Sequence, residues 1–221
     1  MKRMPKQFDL LVFDWDGTLM DSAAAITLSL RTACADLELP VPTEERARYV
    51  IGLGLSDALK YLLPDLPAVG YPALLERYRH HFQRQDRDTT LFNGASEMLR
   101  ALHDAGFILA VATGKSRRGL DRALDVTGLN KIFHATRCAD EGFSKPHPGM
   151  LLWLLGELNV TRGRALMIGD TSHDMEMAVA AEVARLGVAY GAHPRENLLK
   201  HDPVACLNTF PELSLWLTNH A

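Results

Sequence analysis

The sequence predicts an α/β fold, in which helices cover both faces of a parallel sheet. Buried-strand patterns at 8–13, 107–112 and 165–168 alternate with helical patterns, and such alternation is typical of parallel sheets. The stretch 21–87 has helical patterns but no convincing strand pattern. We therefore predict a parallel-sheet core that is interrupted early in the chain by an all-helical insert.

The elements follow in order from the first strand, at 8–13. A helix is expected after Asp21 or Ser22, either of which can cap it, and Thr43 is expected to cap the next helix. The loop 51–56, with two glycines, precedes a third helix, and a long polar helix follows a group of prolines. After residue 93, helices are expected at 95–105, 117–126, 148–158, 173–181 and 210–219, and strands at 107–112, 132–135, 165–168 and 186–190.

The domain boundaries follow from the break in the alternation. The predicted core is Rossmann-like and consists of residues 1–18 and 90–221, and the predicted all-helical domain spans 19–89. A chain of 221 residues is long enough for one core domain with a smaller insert. Trp153 lies among leucines and is expected in the core.

Composition and charge argue against several classes of protein. With 24 basic and 27 acidic residues the net charge is -3, which provides no basic stripe for nucleic acid. The longest apolar run, 150–155, is too short to span a bilayer. The cysteines, Cys34, Cys138 and Cys206, are few, odd in number and far apart, which fits a reducing compartment. A cytoplasmic protein without a nucleic-acid or membrane partner is therefore expected.

Three predicted strands end in polar turns that contain glycine, at 14–18, 113–115 and 169–174. In parallel sheets, ligands bind beyond the carboxyl ends of the strands. These three turns are therefore expected to converge on one site.

Carboxylates dominate the first and third of these turns. Asp14 and Asp16 are two residues apart at a strand end, so their side chains are expected to point to the same side. Two such carboxylates can divide the roles of nucleophile and proton carrier. Asp170 and Asp174 add hard oxygen ligands, which together with Asp14 suit magnesium.

Phosphate-binding groups are expected in the second turn and in a later loop. Thr113 offers a hydroxyl and Gly114 an unobstructed backbone amide for a phosphate oxygen. Lys145 lies in a loop that prolines on both sides of His147 stiffen. Lys115 is expected to be solvated.

The order of these segments resembles that of the haloacid dehalogenase-like (HAD) superfamily. The likeness covers nearly the whole chain, including a helical cap between the first and second motifs, and is closest to the phosphoglycolate-phosphatase-like branch. The segments that match its four motifs are Phe13-Asp14-Trp15-Asp16-Gly17-Thr18, Ala112-Thr113-Gly114, Lys145-Pro146 and Gly169-Asp170-Thr171-Ser172-His173-Asp174.

The resemblance implies a role for each matching residue. Asp14 would attack phosphorus and become a phospho-aspartate, and Asp16 would protonate the leaving alcohol and then activate water. Thr113, the Gly114 amide and Lys145 would hold the transferring phosphoryl oxygens. The helical insert would act as a cap that closes over the site.

The resemblance also implies a magnesium site. The metal ligands would be the Asp14 carboxylate, the Asp16 backbone carbonyl and Asp170, with Asp174 in contact through water or through another ligand. His173, which lies inside the fourth motif, is given no role. The expected function is therefore magnesium-dependent hydrolysis of a small phosphate monoester, with phosphoglycolate as one candidate substrate.

Other proteins of similar design remain as alternatives. Haloacid dehalogenases lack an acid at the position of Asp16, and phosphonoacetaldehyde hydrolases have a small residue there, so Asp16 argues against both. Phosphosugar mutases keep both aspartates but usually carry a basic residue in the cap loop, where this chain has Leu55. A receiver-like module that binds phosphate and metal without catalysis would need neither the helical insert nor the second aspartate.

Overall fold

The computed structural model describes residues 6–85 and 89–221. Residues 1–5 of the predicted core and 86–88 of the predicted insert lie outside the described residues. The described strands form one parallel sheet in the order β3-β2-β1-β4-β5-β6. They are β1 (Leu10–Phe13), β2 (Ile108–Thr113), β3 (Ala135–Cys138), β4 (Ala165–Gly169), β5 (Ala184–Val188) and β6 (Ala205–Leu207).

The strand order reverses at β1, and this reversal positions the site. The chain adds β2 and β3 on one side of β1 and then returns to add β4 to β6 on the other side. Loops that leave β1 and β4 therefore diverge to opposite faces and open a crevice at the carboxyl ends of these strands. Register pairs Phe13 with Ile168, so Asp14 and Gly169 stand side by side at that edge.

A helical segment lies between β1 and β2 in the chain, and its described residues, 21–85, contain no strand. Thr43 caps the second helix as predicted, because its hydroxyl accepts a hydrogen bond from the Arg46 amide at 3.3 Å. The segment buries an apolar cluster that includes Leu30, Leu59 and Leu74. Its helices are α1 (Ala23–Asp36), α2 (Glu44–Tyr49), α3 (Leu55–Leu62) and α4 (Tyr71–Gln85), and residues 21–85 are called the helical insert below.

Both faces of the sheet are covered by the remaining helices. Alternate residues of β1 enter different cores: Leu11 and Phe13 pack on one face, and Leu10 and Val12 on the other. The helices of the core are α5 (Ala95–Asp104), α6 (Arg117–Thr127), α7 (Gly149–Glu157), α8 (Ser172–Ala180), α9 (Arg195–Leu199) and α10 (Phe210–His220). The predicted α/β class with a parallel sheet is confirmed.

The expectations about the edges of the sheet and about Trp153 need correction. The strand predicted at 132–135 lies at Ala135–Cys138, and β6 had no sequence signal. Both are edge strands with half-buried residues, so neither carries the continuous apolar run of a central strand. Trp153 is 38% exposed and stacks with the Arg137 guanidinium, whose centre lies 4.6 Å from the ring centroid. No described helix is long and apolar enough to cross a bilayer.

Candidate active site

Asp14 is the first residue beyond β1 and lies fully buried. Its amide donates to the Ile168 carbonyl at 2.9 Å, which continues the pairing of β1 with β4 and orients the residue. Its Oδ1 accepts from the Trp15 amide at 2.6 Å and pairs with Lys145 Nζ at 2.8 Å. Its Oδ2 is buried and has no hydrogen-bond partner among the described residues, so this oxygen is available to a ligand.

Lys145 lies between two carboxylates. Its Nζ is 2.8 Å from Asp14 Oδ1 and 2.6 Å from Asp174 Oδ1, and all three side chains are buried. Burial alone would lower the pKa of Lys145, but the two carboxylates outweigh burial and raise the pKa above its ordinary value. The ammonium group therefore remains charged at neutral pH and fixes the position of Asp14.

A third carboxylate completes a buried acidic cluster. One oxygen each from Asp14, Asp170 and Asp174 lies within 4.8 Å of the others. Asp170 is held by the Thr18 hydroxyl, at 2.7 Å from Oδ1, and by the Ala192 amide, at 2.7 Å from Oδ2. Burial, followed by the charge of Asp174, raises the pKa of Asp170 to about 7.

The donor set of this cluster fits a divalent cation. Buried carboxylates need a compensating charge, and Lys145 supplies only one positive charge for the three acids. Asp14 Oδ2 adds an orphaned oxygen of the hard type that magnesium prefers. Gly17 permits the cluster to close, because it has φ +84 and because a β-carbon there would collide with the Asp170 carboxylate.

Asp174 also holds the start of α8. Thr171 and Asp174 form a capping box, in which the Thr171 amide and hydroxyl donate to Asp174 Oδ2 at 3.1 and 2.7 Å. The other oxygen, Oδ1, faces Lys145. Asp174 therefore has a structural role and orients the lysine at the same time.

The carboxylate of Asp16 makes contacts outside this cluster. Its Oδ1 accepts from the Ser22 hydroxyl at 2.6 Å and pairs with Lys115 Nζ at 2.9 Å. The expectation that Lys115 is solvated is wrong, because its side chain is only 11% exposed and its Nζ lies 4.9 Å from the centroid of the Phe82 ring. Asp16 was predicted to contact the metal through its backbone carbonyl. That prediction does not involve the Asp16 carboxylate, which contacts Ser22 and Lys115 instead.

Thr113 is the last residue of β2, and Gly114 follows it beneath the insert. Thr113 is buried, and its Oγ1 accepts from the Lys115 amide at 3.2 Å, so its own hydrogen can be donated to a ligand. A β-carbon on Gly114 would lie 2.6 Å from the Gly52 carbonyl oxygen and 2.5 Å from that of Leu53. Glycine is therefore required at 114 for the close approach of the insert loop.

Hydrogen bonds join the insert to the loops of the core. The Gly54 amide donates to Ser144 Oγ at 3.0 Å, next to Lys145. The guanidinium group of Arg48 donates to the carbonyls of Gly191 and Ala192, at 2.7 and 3.3 Å. Since the Ala192 amide in turn holds Asp170, the insert contacts the same loop that supports the acidic cluster.

Two histidines of the core meet Tyr49 of the insert, although His173 was given no role. Nε2 of His173 and of His193 lie 2.8 and 2.9 Å from the Tyr49 carbonyl oxygen. The Ser172 amide donates to His193 Nδ1 at 3.0 Å, so the hydrogen of the neutral ring is on Nε2. Burial lowers the pKa of His193 to about 4, which keeps this donor neutral at physiological pH.

The predicted site residues therefore lie in two contact groups at one edge of the sheet. Asp14, Lys145 and Asp170 belong to the buried cluster. Asp16 and Thr113 are joined through Lys115, and Gly114 lies directly under the insert. The sequence analysis assigned no site role to Thr18, the last residue of the first motif, or to Ser22, which it named only as a helix cap. It also assigned none to Lys115, Arg48, Tyr49 and His193, for which only the tertiary contacts provide a signal.

Comparison with known proteins supplies an independent finding. A family model described as haloacid dehalogenase-like hydrolase matches residues 11–188. A probable phosphatase IndB from Dickeya dadantii is 34% identical over 92% of this chain and 91% of its own length, and a phosphoglycolate phosphatase from Colwellia psychrerythraea is 28% identical over 95% and 96%. The crystal structure of a predicted phosphoglycolate phosphatase from Haemophilus somnus 129pt superposes with TM-score 0.84 and 26% identity, covering 96% of this chain and 99% of that chain.

Proposed function

We propose that this chain, which belongs to the haloacid dehalogenase-like hydrolase family, is a magnesium-dependent phosphatase that acts on a small phosphate monoester. The observation that carries the proposal is the buried Asp14 carboxylate, which Lys145 orients through Oδ1 while Oδ2 remains unpartnered among the described residues. Such an oriented and desolvated carboxylate is suited to nucleophilic attack. The names of the relatives from Dickeya dadantii and Colwellia psychrerythraea support a phosphatase.

The metal would be held by the Asp14 carboxylate, the Asp16 backbone carbonyl and Asp170. When bound, magnesium supplies positive charge that offsets the repulsion between a carboxylate nucleophile and the phosphate dianion. Thr18 and the Ala192 amide keep Asp170 aimed at this position.

The reaction would proceed in two steps. Asp14 attacks phosphorus, the bond to the ester oxygen breaks, and the leaving oxygen takes a proton from Asp16. A water molecule then gives a proton to Asp16 and attacks the phospho-aspartate, which releases phosphate and restores Asp14. The two carboxylates can play different roles because Asp14 is in the acidic cluster and Asp16 is not.

Three groups would hold the phosphoryl oxygens during both steps. Lys145 is charged and already beside Asp14. Thr113 has a hydroxyl hydrogen to donate, because its oxygen accepts from the Lys115 amide. The Gly114 amide lies at the end of β2 and adds a donor that needs no side chain.

The substrate would be small because the insert lies over the site. We propose that residues 19–89 form a cap, whose loop at Gly52 and Leu53 approaches Gly114 closely and whose Gly54 bonds to Ser144. A cap in this position would exclude a macromolecule from the site. Phosphoglycolate is one candidate, which the relatives' names support. The buried free cysteines, Cys34 and Cys138, fit the cytosolic location that we propose.

The nucleophile is tested with Asp14→Asn. We expect the variant to fold and to lose turnover of p-nitrophenyl phosphate, since an amide cannot form the covalent intermediate. Asp104→Asn is the matched control, because the Asp104 side chain is 83% exposed, and it should retain wild-type kcat. Near-normal kcat in folded Asp14→Asn would contradict the mechanism, and circular dichroism establishes that each variant is folded.

A further inference from the structure

The Asp16 carboxylate receives both of its side-chain contacts on one oxygen. Ser22 Oγ donates to Oδ1 at 2.6 Å, and Lys115 Nζ lies 2.9 Å from the same atom. These two donors fix the orientation of the carboxylate through Oδ1, so a hydrogen donated by Asp16 to a ligand would come from the other oxygen, Oδ2.

Lys115 is held more firmly than an ordinary lysine. Its amide donates to Thr113 Oγ1 at 3.2 Å, and its carbonyl accepts from the Ala139 amide at 3.1 Å. Its side chain is 11% exposed, as is that of Asp16, so water screens this ion pair less than a surface pair. These backbone contacts order Lys115 before it pairs with Asp16, which reduces the conformational entropy lost when the ion pair forms.

Residues of the insert contact both Asp16 and Lys115. Ser22 immediately precedes α1, and Phe82 of α4 lies 4.9 Å from Lys115 Nζ, within the range of a cation–π contact. Lys115 itself belongs to the core, in the loop after β2. The orientation of Asp16 therefore depends on core and insert together.

We propose that Lys115 is a positioning residue for Asp16, and that Phe82 makes this positioning depend on docking of the insert. Lys115 and Ser22 hold Oδ1, so that Oδ2 presents its hydrogen to the leaving-group oxygen. The inference rests on the proposed function, in which Asp16 is the proton donor. The proton that reaches the leaving oxygen comes from Asp16, and Lys115 only holds the Asp16 carboxylate in place.

The test uses the dependence on the leaving group. An alkyl phosphate releases a strongly basic alkoxide and needs the acid, whereas p-nitrophenyl phosphate releases a weakly basic phenolate that needs little protonation. We expect Lys115→Ala to lower kcat/KM for an alkyl phosphate by about 10- to 100-fold, the range that follows from a misplaced catalytic group. For p-nitrophenyl phosphate we expect a loss below about threefold, since kcat/KM reports only the first chemical step.

Three further variants sharpen the test. Lys115→Arg should recover most of the alkyl activity, because a guanidinium can also donate to Oδ1. Phe82→Leu should produce a smaller loss that is again selective for the alkyl ester. Lys131→Ala removes an exposed lysine of the core and should leave both rates unchanged.

The outcomes separate this inference from the function on which it rests. Asp16→Asn must itself be selective for the alkyl ester, and Lys115→Ala in that background should add no selective loss. If Asp16→Asn is selective and Lys115→Ala is not, the positioning role is wrong and the phosphatase mechanism stands. If Asp16→Asn slows both esters equally, the acid is misassigned and the inference fails with it. An equal loss of both esters in Lys115→Ala would instead indicate a phosphoryl-binding lysine and would overturn the proposal.

Discussion

At the scale of single residues, the buried cluster around Lys145 has more acidic than basic side chains. The cluster has three buried acids and one ammonium group, which pairs with Asp14 and Asp174, so two negative charges are uncompensated when all three acids are ionised. Burial raises the pKa of Asp14 well above its ordinary value, an effect that Lys145 opposes, and the pKa of Asp170 rises to about 7. The metal-free protein therefore relieves the crowding by taking up protons, and a bound cation would replace them.

The competition between protons and the metal predicts a pH effect on stability. Because the folded-state pKa of Asp170 is raised from 3.8 to about 7, its contribution to stability is present below 3.8 and is lost as pH rises through about 7. Magnesium needs the ionised carboxylate, so it should raise Tm more at pH 8 than at pH 6, by roughly 2–4 °C for each kcal/mol gained in a chain of 221 residues.

This effect is measured by thermal unfolding with magnesium or with EDTA at each pH. Asp170→Asn should remove most of the magnesium-dependent shift, while the exposed control Asp104→Asn should keep it. An equal magnesium shift at pH 6 and pH 8 in the wild type would show that protons and metal do not compete at these carboxylates.

At the scale of the elements, the end of β2 and the loop of the insert depend on one glycine. Gly114→Ala would place a β-carbon against the Gly52 and Leu53 carbonyls, which are backbone atoms with little freedom to move. We expect kcat/KM to fall by at least about tenfold, because the loop cannot approach the site in its native position. The measurement is steady-state kinetics, accompanied by Tm.

Gly156→Ala is the matched control for this substitution. Gly156 lies in α7, and a β-carbon there would have no atom within 4 Å. Alanine should leave kcat/KM unchanged and stabilise the fold by about 0.4–1 kcal/mol, because it restricts the unfolded chain. If Gly114→Ala behaves like Gly156→Ala, the close approach of the insert loop does not matter for turnover.

The elements also differ in how well the sequence predicted them. Central strands such as β1 and β4 are buried on both faces, so a continuous apolar run identified them. The edge strand β3 contains Thr136 and Arg137 and is half-buried, so the apolar signal came from Ile132, which instead lies in the turn before it. An apolar sequence pattern identifies a strand only when the strand is buried, and the residues of these edge strands are mostly half-buried.

For the molecule as a whole, the contacts between insert and core predict that the protein prefers small phosphate monoesters to large ones. Arg48, Tyr49 and Gly54 of the insert hydrogen-bond to the core on both sides of the acidic cluster. We expect kcat/KM for small monoesters, such as phosphoglycolate or a sugar phosphate, to exceed that for a phosphopeptide by at least about 100-fold, since the macromolecule would have to displace these contacts.

The measurement is kcat/KM across a panel of phosphorylated metabolites beside one phosphopeptide. A preference for the phosphopeptide would contradict the proposed cap. Failure to cleave phosphoglycolate, with turnover of another metabolite, would refute only the proposed subgroup. The mutase alternative predicts a phosphosugar isomer as product in place of inorganic phosphate, which the same assay distinguishes.

The sequence by itself determined the α/β class, the helical insert and the identity of the residues at the strand ends. These features depend on local periodicity and on the rule that parallel strands present their carboxyl ends at one edge. The carboxylates, the proposed phosphate-binding groups Thr113 and Gly114, and Lys145 could therefore be named, because each lies in or next to a recognisable turn.

Only the tertiary structure decided how these residues are held. Thr18 bonds to Asp170 across 152 positions of the chain, and Lys115 pairs with Asp16 and lies beside Phe82 of the insert. His193 supports Tyr49 from a loop without any motif. Such contacts arise when segments that are distant in sequence pack together. The partner, the burial and the charge of a side chain then depend on its spatial surroundings rather than on its neighbours in sequence.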